Sequence, residues 1–366
     1  MADRKRRANG EGTIYRRADG LWCAQLLLPT GKRKTIYGKL RRDVIEKLTE
    51  MRRNPNRVPE PGRLTVQQYL DRWIEDSAQP SIRPTTLANY QSVIRCHIVP
   101  RIGSQRLARV DPMAIQRLYK ELQADGISDR LRQLVHAILH RALGQAVRWN
   151  LLSENPCDAV TRPRVDRKEV RALSTEEVHH LFEVAKGDPL EALYILALTT
   201  GLRQGELFGL RWKDIDRHRR SLAVQRAIVD VNGKLQTAQP KSAKGRRRVD
   251  LPDLAVRALR DHRSRLPATP HPEAWVFCDK RGGPLRKSNF TRRSWWPLRE
   301  RAGLKGVRFH DLRHTAASLL LLAGVHPKVV QERLGHASVV LTLDVYSHLL
   351  GSMQRDAADA IDEILK

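Results

Sequence analysis

Apolar positions change their spacing along the chain, and the changes divide it into three. From about residue 9 to 58, GTIYRRADGLWCAQLLLPTGKRKTIYG sets three short apolar or aromatic runs between RADG and PTGK, both good turn formers. KLRRDVIEKLTEMRRN then carries Val44, Leu48 and Met51 at helical spacing, with basic residues on the other side. The pattern predicts a small three-stranded β-sheet plus one helix over residues 1–58, followed by a proline-rich linker at 59–63. Over 64–160 the period is helical throughout. LTVQQYLDRWIED places Val66, Tyr69, Leu70 and Trp73 on one stripe, and RPTTLANYQSVIRCHIVPRIG opens with Pro84 near a helix start. DRLRQLVHAILHRALGQAVRWN repeats Leu131, Leu134, Val135, Ile138, Ala142 and Val147. Four or five helices are expected in this all-α piece, and no strand.

A polar, basic linker at 161–173 leads to Ser174 and Glu177, an S-x-x-E capping box that opens a further domain, 174–366. There PLEALYILALTTGLRQGELFGLRW reads as two helices broken at Gly201. SLAVQRAIVDVNGKLQTAQPKSAKGRRRVDL reads as three strands of a small antiparallel sheet, the first turn at Asn232-Gly233. Helices return to the end, so this domain is mixed and mainly α. The last stretch puts Met353, Ala357, Ile361, Ile364 and Leu365 on one helical side, either core or a docking stripe for a neighbouring subunit.

Composition adds a partner. In 366 residues, 41% hydrophobic, the formal net charge is +27, and residues 1–63 alone carry 17 Lys/Arg against 7 Asp/Glu. A surface that basic suits a polyanion, nucleic acid first, and a basic sheet face can supply sequence-independent affinity for phosphates. Arg16, Arg17, Lys32, Arg33 and Lys34 are the candidate DNA contacts there. The N-terminal MADRKRRANG lacks the apolar core of a signal peptide, and no run of about 20 apolar residues occurs. The expectation is a soluble protein of the cytoplasm, associated with the nucleoid and not with a membrane. Cys23, Cys96, Cys157 and Cys278 show no CxxC spacing and read as reduced thiols.

Candidate chemistry gathers in the third domain. TTGLRQGEL puts Arg203 after a glycine break, with Glu206 one helical turn on. QPKSAKGRRRVDL offers Lys241 and Lys244 in a hairpin loop. VRFHDLRH sets His310 and Arg313 on one helix face, and LGHASVVLTLDVYSHL supplies His336 and Tyr346. His310 and His314 share the spacing of a zinc-binding HExxH pair, but Arg313 lies between them and the Glu is Asp311. A fixed cation opposes a metal, whereas two guanidinium groups suit the oxygens of a phosphate. The site is therefore read as an anion site with no metal.

These motifs resemble those of the tyrosine recombinase, or phage integrase, family, and the likeness runs over nearly the whole chain. It implies an arm-type DNA-binding domain at 1–58, a SAM-like core-binding domain at 64–160 and a catalytic domain at 174–366. On that resemblance Arg203 is the first active-site arginine, Lys241 the β-hairpin lysine, His310 and Arg313 the H-x-x-R pair, His336 the second histidine and Tyr346 the nucleophile. Lys244 stays open as the alternative to Lys241, because Asp250 stands where the family often has proline. Glu206 is expected to orient Arg203 or cap its helix, and His314 to be a packed neighbour. The implied activity is site-specific recombination through a 3′-phosphotyrosine and a Holliday junction, to integrate or excise a mobile element. It needs no cofactor. The implied partners are core-type and arm-type duplex DNA, three further copies in a tetramer, and an excisionase or DNA-bending host protein. Type IB topoisomerase chemistry and a catalytically silent DNA-binding regulator are the competing readings.

Overall fold

The computed structural model describes residues 13–17, 20–27, 33–38, 40–53, 63–165, 171–239, 245–335, 359 and 361–365. The chain divides into two compact units, Met1–Ser81 with Gln91–Arg164, and Ile82–Tyr90 with Val165–Lys366.

In the first unit β1 (Thr13–Arg16), β2 (Trp22–Leu27) and β3 (Arg33–Gly38) form an antiparallel sheet in that order, followed by α1 (Arg41–Arg53). The register Ile14↔Ala24↔Ile36 places these three on one face. Ala24 and Ile36 bury against Val44 and Leu48 of α1, with Ile14 and Trp22 packed beside them. The next row, Tyr15↔Cys23↔Tyr37, points the other way, and both tyrosines are exposed. The Met51 side chain and the residues of PTGK lie outside the described residues.

The helical stretch runs through α2 (Val66–Trp73), α3 (Pro84–Val93), of which Pro84–Tyr90 counts with the second unit, α4 (Val99–Ile102), α5 (Pro112–Ala124) and α6 (Asp129–Arg148). Thr65 and Gln68 close a reciprocal capping box on α2, and Val66, Tyr69, Leu70 and Trp73 are buried. Asp111 caps α5 ahead of Pro112. On α6 the buried face takes in Leu139, Leu143 and Ala146 with Val135, Ile138 and Ala142, while Leu131, Leu134 and Val147 are only half-buried. The face is thus wider than the stripe read from sequence, because α6 is packed by more than one neighbour. Tyr119 and the buried His136 satisfy each other at 2.8 Å between Oη and Nδ1.

The C-terminal stretch of the second unit opens with α7 (Thr175–Ala185), on which Ser174 and Glu177 make both bonds of the capping box. The almost wholly buried α8 (Glu191–Thr200) ends at Gly201, φ +63°, and α9 (Gln204–Phe208) follows. Next come β4 (Ile215–Asp216), β5 (Ser221–Val224), β6 (Ala227–Val231), β7 (Lys234–Ala238) and β8 (Arg247–Asp250). The strands differ from the sequence expectation. The three-stranded sheet is β4-β5-β8, and β6 and β7 stand apart as a hairpin turned at Asn232-Gly233. The first expected strand breaks at Gln225-Arg226 because Arg226 is pulled inward: its guanidinium donates to Gly209 O and pairs with the buried Asp214. Consequently β7 and β8 lie in different sheets and do not pair with each other, while Lys241 and Lys244, on the chain between them, lie outside the described residues.

Helices α10 (Asp253–Ser264), α11 (Lys287–Phe290), α12 (Trp296–Arg301), α13 (Asp311–Leu322) and α14 (Pro327–Leu334) complete the unit. Its core centres on α8 and an aromatic cluster of Tyr194, Phe208, Phe290, Trp295 and Phe309. Ala317 and Leu321 of α13 pack against Val330 and Leu334 of α14. Ile361, Ile364 and Leu365 are exposed on helical backbone, while Met353 and Ala357 of the same expected stripe lie outside the described residues. Among the described residues no helix is long and apolar enough to cross a membrane.

Candidate active site

Two glycine breaks build the site. α8 stops at Gly201, and two residues later Arg203 precedes α9 in extended backbone. α14 stops at Gly335, φ +68°. A helix leaves its last carbonyls without partners inside the helix, and here arginines take them. Arg247 Nε donates to Arg333 O at 2.6 Å, Arg313 Nη2 to Leu334 O at 2.9 Å, and Arg203 Nη2 to Gly335 O at 3.0 Å. Three cations thus meet the negative end of α14 on consecutive carbonyls, which also suits its dipole. Arg313, 4% exposed, reaches the other break too, donating from Nη1 to Gly201 O at 2.6 Å.

Glu206 binds the cluster. Its carboxylate accepts from the Arg203 backbone N–H at 3.0 Å, from Arg203 Nη1 at 2.8 Å and from Arg247 Nη2 at 3.0 Å. The expected alternatives for Glu206, orienting Arg203 or capping its helix, are therefore both realised in geometry. Burial works to raise the Glu206 pKa, but the charge and hydrogen bond of Arg247, then those of Arg203, outweigh it and hold the carboxyl below its usual range.

His310 stands just before α13, with Arg313 in the first turn of that helix. Asp311 anchors this start, accepting from the Arg308 backbone N–H at 2.7 Å and from its guanidinium. By surface area His310 is exposed, yet its ring is enclosed enough that desolvation, then the charges of His314 and Arg313, push its pKa down to about 4. This keeps the ring neutral near pH 7, with an unprotonated nitrogen but lowered basicity. His314 is half-buried, its ring edge-on to His310 at 5.2 Å. Arg203, Gly205, Lys287 and His310 share a cleft of about 800 Å³ in this unit.

Of the sequence-predicted site residues, the structure brings together Arg203, His310 and Arg313. Lys241, Lys244, His336 and Tyr346 lie outside the described residues, although His336 directly follows the anchored Gly335. In the N-terminal sheet Arg16 turns its Nε to Gly20 O at 3.3 Å, whereas Arg17 lies 5.6 Å over the Tyr37 ring on the open face. Arg33 and Lys34 lie on β3 in register with Leu27 and Leu26, and Lys32 is outside the described residues. Sequence reasoning missed Arg247. Three like arginines precede Val249, and only strand alternation, which puts residue 247 on the buried side with Val249, could have singled one out.

Anchored arginines beside a histidine can hold a tetrahedral oxyanion such as a phosphate. Comparison with known proteins gives that chemistry its class. Residues 171–352 match the model of the phage integrase family, and residues 65–123 that of the phage integrase N-terminal SAM-like domain. The integrase of Mycobacterium phage FRAT1 is 31% identical over 282 residues, covering 75% of this chain and 81% of that protein. The ICEBs1 integrase of Bacillus subtilis is 28% identical, covering 90% of this chain and 89% of that protein. Among solved structures, the Tn1549 transposon integrase bound to transposon right end DNA superposes with a TM-score of 0.70 at 21% identity, covering 80% of this chain and all of that one. A lambda integrase tetramer bound to a Holliday junction gives 0.58 at 22% identity, over 92% of this chain and 97% of that one. The chain belongs to the phage integrase family and is a site-specific DNA recombinase of the tyrosine class.

Proposed function

We propose that this recombinase cleaves and rejoins duplex DNA through Tyr346, moving a mobile element into and out of a chromosome. A phosphodiester repels nucleophiles, so Arg203 and Arg313 clamp its non-bridging oxygens and offset the charge of the pentacoordinate transition state. Only about a thousandth of a free tyrosine is ionised at neutral pH, and neutral His310 takes the Tyr346 proton as the phenolic oxygen bonds to phosphorus. The bond from phosphorus to the 5′ oxygen breaks, and Lys241 protonates that oxygen as it leaves. His336 donates a further hydrogen bond to the phosphate. The result is a 3′-phosphotyrosine and a free 5′-hydroxyl. Attack by a 5′-hydroxyl of a partner strand reverses the step, and two such exchanges in a tetramer pass through a Holliday junction. The helical domain grips core-type sites. The basic sheet, with Arg17 over Tyr37, grips arm-type sites, where an excisionase or a DNA-bending protein acts.

The observation that carries this reading is the anchoring of Arg203 and Arg313 on Gly335 O and Leu334 O, immediately before His336. The test is a covalent protein–DNA adduct on denaturing gels, in EDTA, using duplex DNA flanking the gene and nicked near the crossover. Wild type is expected to form it and Tyr346→Phe to form none. An adduct that persists in Tyr346→Phe removes that residue as the nucleophile, and one that vanishes only on adding EDTA returns the site to metal chemistry.

A further inference from the structure

Arg247 is not among the residues that the resemblance assigns to the chemistry, and its side chain is more constrained than that of Arg203. Its side chain is 7% exposed, against 35% for Arg203. It spends its donors on three separate stretches of chain: Nη2 on Glu206 Oε2 at 3.0 Å, Nε on Arg333 O at 2.6 Å, and Nη1 on Gly245 O at 3.1 Å. Glu206 is the partner of Arg203. Arg333 lies three residues before His336, and Gly245 directly follows the segment holding Lys241 and Lys244. One guanidinium therefore ties Glu206, the partner of Arg203, to the last turn of α14 and to Gly245.

Charge gives the tie a consequence. Glu206 alone would neutralise Arg203, and the phosphate would meet a compensated cation. With Arg247 on the same carboxylate the group of three keeps a net positive charge, and Arg247 does more than Arg203 to hold Glu206 ionised. The carboxylate is shared, so Arg203 keeps its field for the substrate while its geometry stays fixed.

We infer that Arg247 is a positioning residue for strand cleavage, acting through Glu206 on the orientation and the available charge of Arg203. The inference rests on the function proposed above, and the same adduct assay tests it under single-turnover conditions. Arg247→Met is expected to slow adduct formation about 10- to 100-fold, the cost of misplacing a clamp by about an ångström. DNA affinity should stay within about threefold, since Arg247 is buried and its donors are spent on protein acceptors. Arg247→Lys, which keeps charge but cannot reach three acceptors, should recover part of the rate, and it carries the test if the methionine variant does not fold. The readout that a merely structural role would not give is non-additivity. Added to Arg203→Lys, Arg247→Met should cost less than about threefold more, because the residue through which it acts is already impaired.

A wild-type rate in Arg247→Met overturns the inference, as do losses that multiply fully in the double variant or that appear only as weaker DNA binding. A wild type that forms no adduct overturns the function proposed for the site, and this inference with it.

Discussion

Gly201 is the tightest joint in the site, and Gly201→Ala tests it directly. At φ +63° an alanine sits in the left-handed region, which costs about 1–2 kcal/mol. Its Cβ would stand 2.3 Å from Leu334 Cδ2 and 3.5 Å from the Ala316 Cβ. Leu334 is fully buried against Ala317, Leu321 and Val330, so its methyl has nowhere open to turn. Overpacking of this kind costs about 1–3 kcal/mol, and the stiffer unfolded chain returns about 0.4–1 kcal/mol. The net is a destabilisation of about 1–5 kcal/mol. At about 2–4 °C per kcal/mol for a domain of this size, the melting temperature of the catalytic unit should fall by roughly 2–20 °C. Function should suffer beyond stability. Both Gly201 O and Leu334 O accept from Arg313, so pushing residues 201 and 334 apart pulls at both ends of one guanidinium. Thermal unfolding followed by far-UV circular dichroism, with the adduct rate measured well below the transition, separates the two effects. A variant that melts within a degree of wild type and cleaves at its rate would refute the account of a close-packed glycine joint.

Acid should weaken the fold through its histidines. The pKa of His310 is pushed down to about 4, and those of His314, His262 and His136 are also lowered, each chiefly by burial. The unfolded chain then binds more protons than the folded one from pH 6.5 down to about 4, so stability is intact above 6.5 and lost as pH falls through that window. Melting temperatures taken from pH 7 to 5 should drop, with a shallower drop in His310→Gln; equal slopes would remove His310 as a contributor. Asp311→Ala strips the acceptor of the Arg308 backbone N–H and guanidinium at the start of α13. It should cost about 1–3 kcal/mol in urea unfolding and slow the adduct step by loosening His310, and an unchanged midpoint would show that the start of α13 is held by other contacts.

How much of this was legible beforehand follows from which interactions are local. The Ser174–Glu177 capping box, the stripe of Val66, Tyr69, Leu70 and Trp73, the Asn232-Gly233 turn and the break at Gly201 are each decided within a few residues. Spacing exposes such features, and the pairing of His310 with Arg313 on one helix start was readable for the same reason. The residue types of the site were likewise written in the chain, because a phosphate demands fixed cations and a proton acceptor whatever the fold.

Tertiary structure decided where those cations are anchored. Arg203, Arg247 and Arg313 come from three places far apart in sequence, and only packing delivers them to the consecutive carbonyls of residues 333–335. No local pattern marks Arg247 among its neighbours, since its partners are Glu206, forty-one residues back, and Arg333, eighty-six residues on. Nor could spacing show that the inward pull of Arg226 would split the expected strand at residue 225 and place β7 and β8 in different sheets. Sequence determines the chemistry a chain can offer and the elements that local forces form; the charge balance at a buried carboxylate is set by which distant groups the fold brings to it.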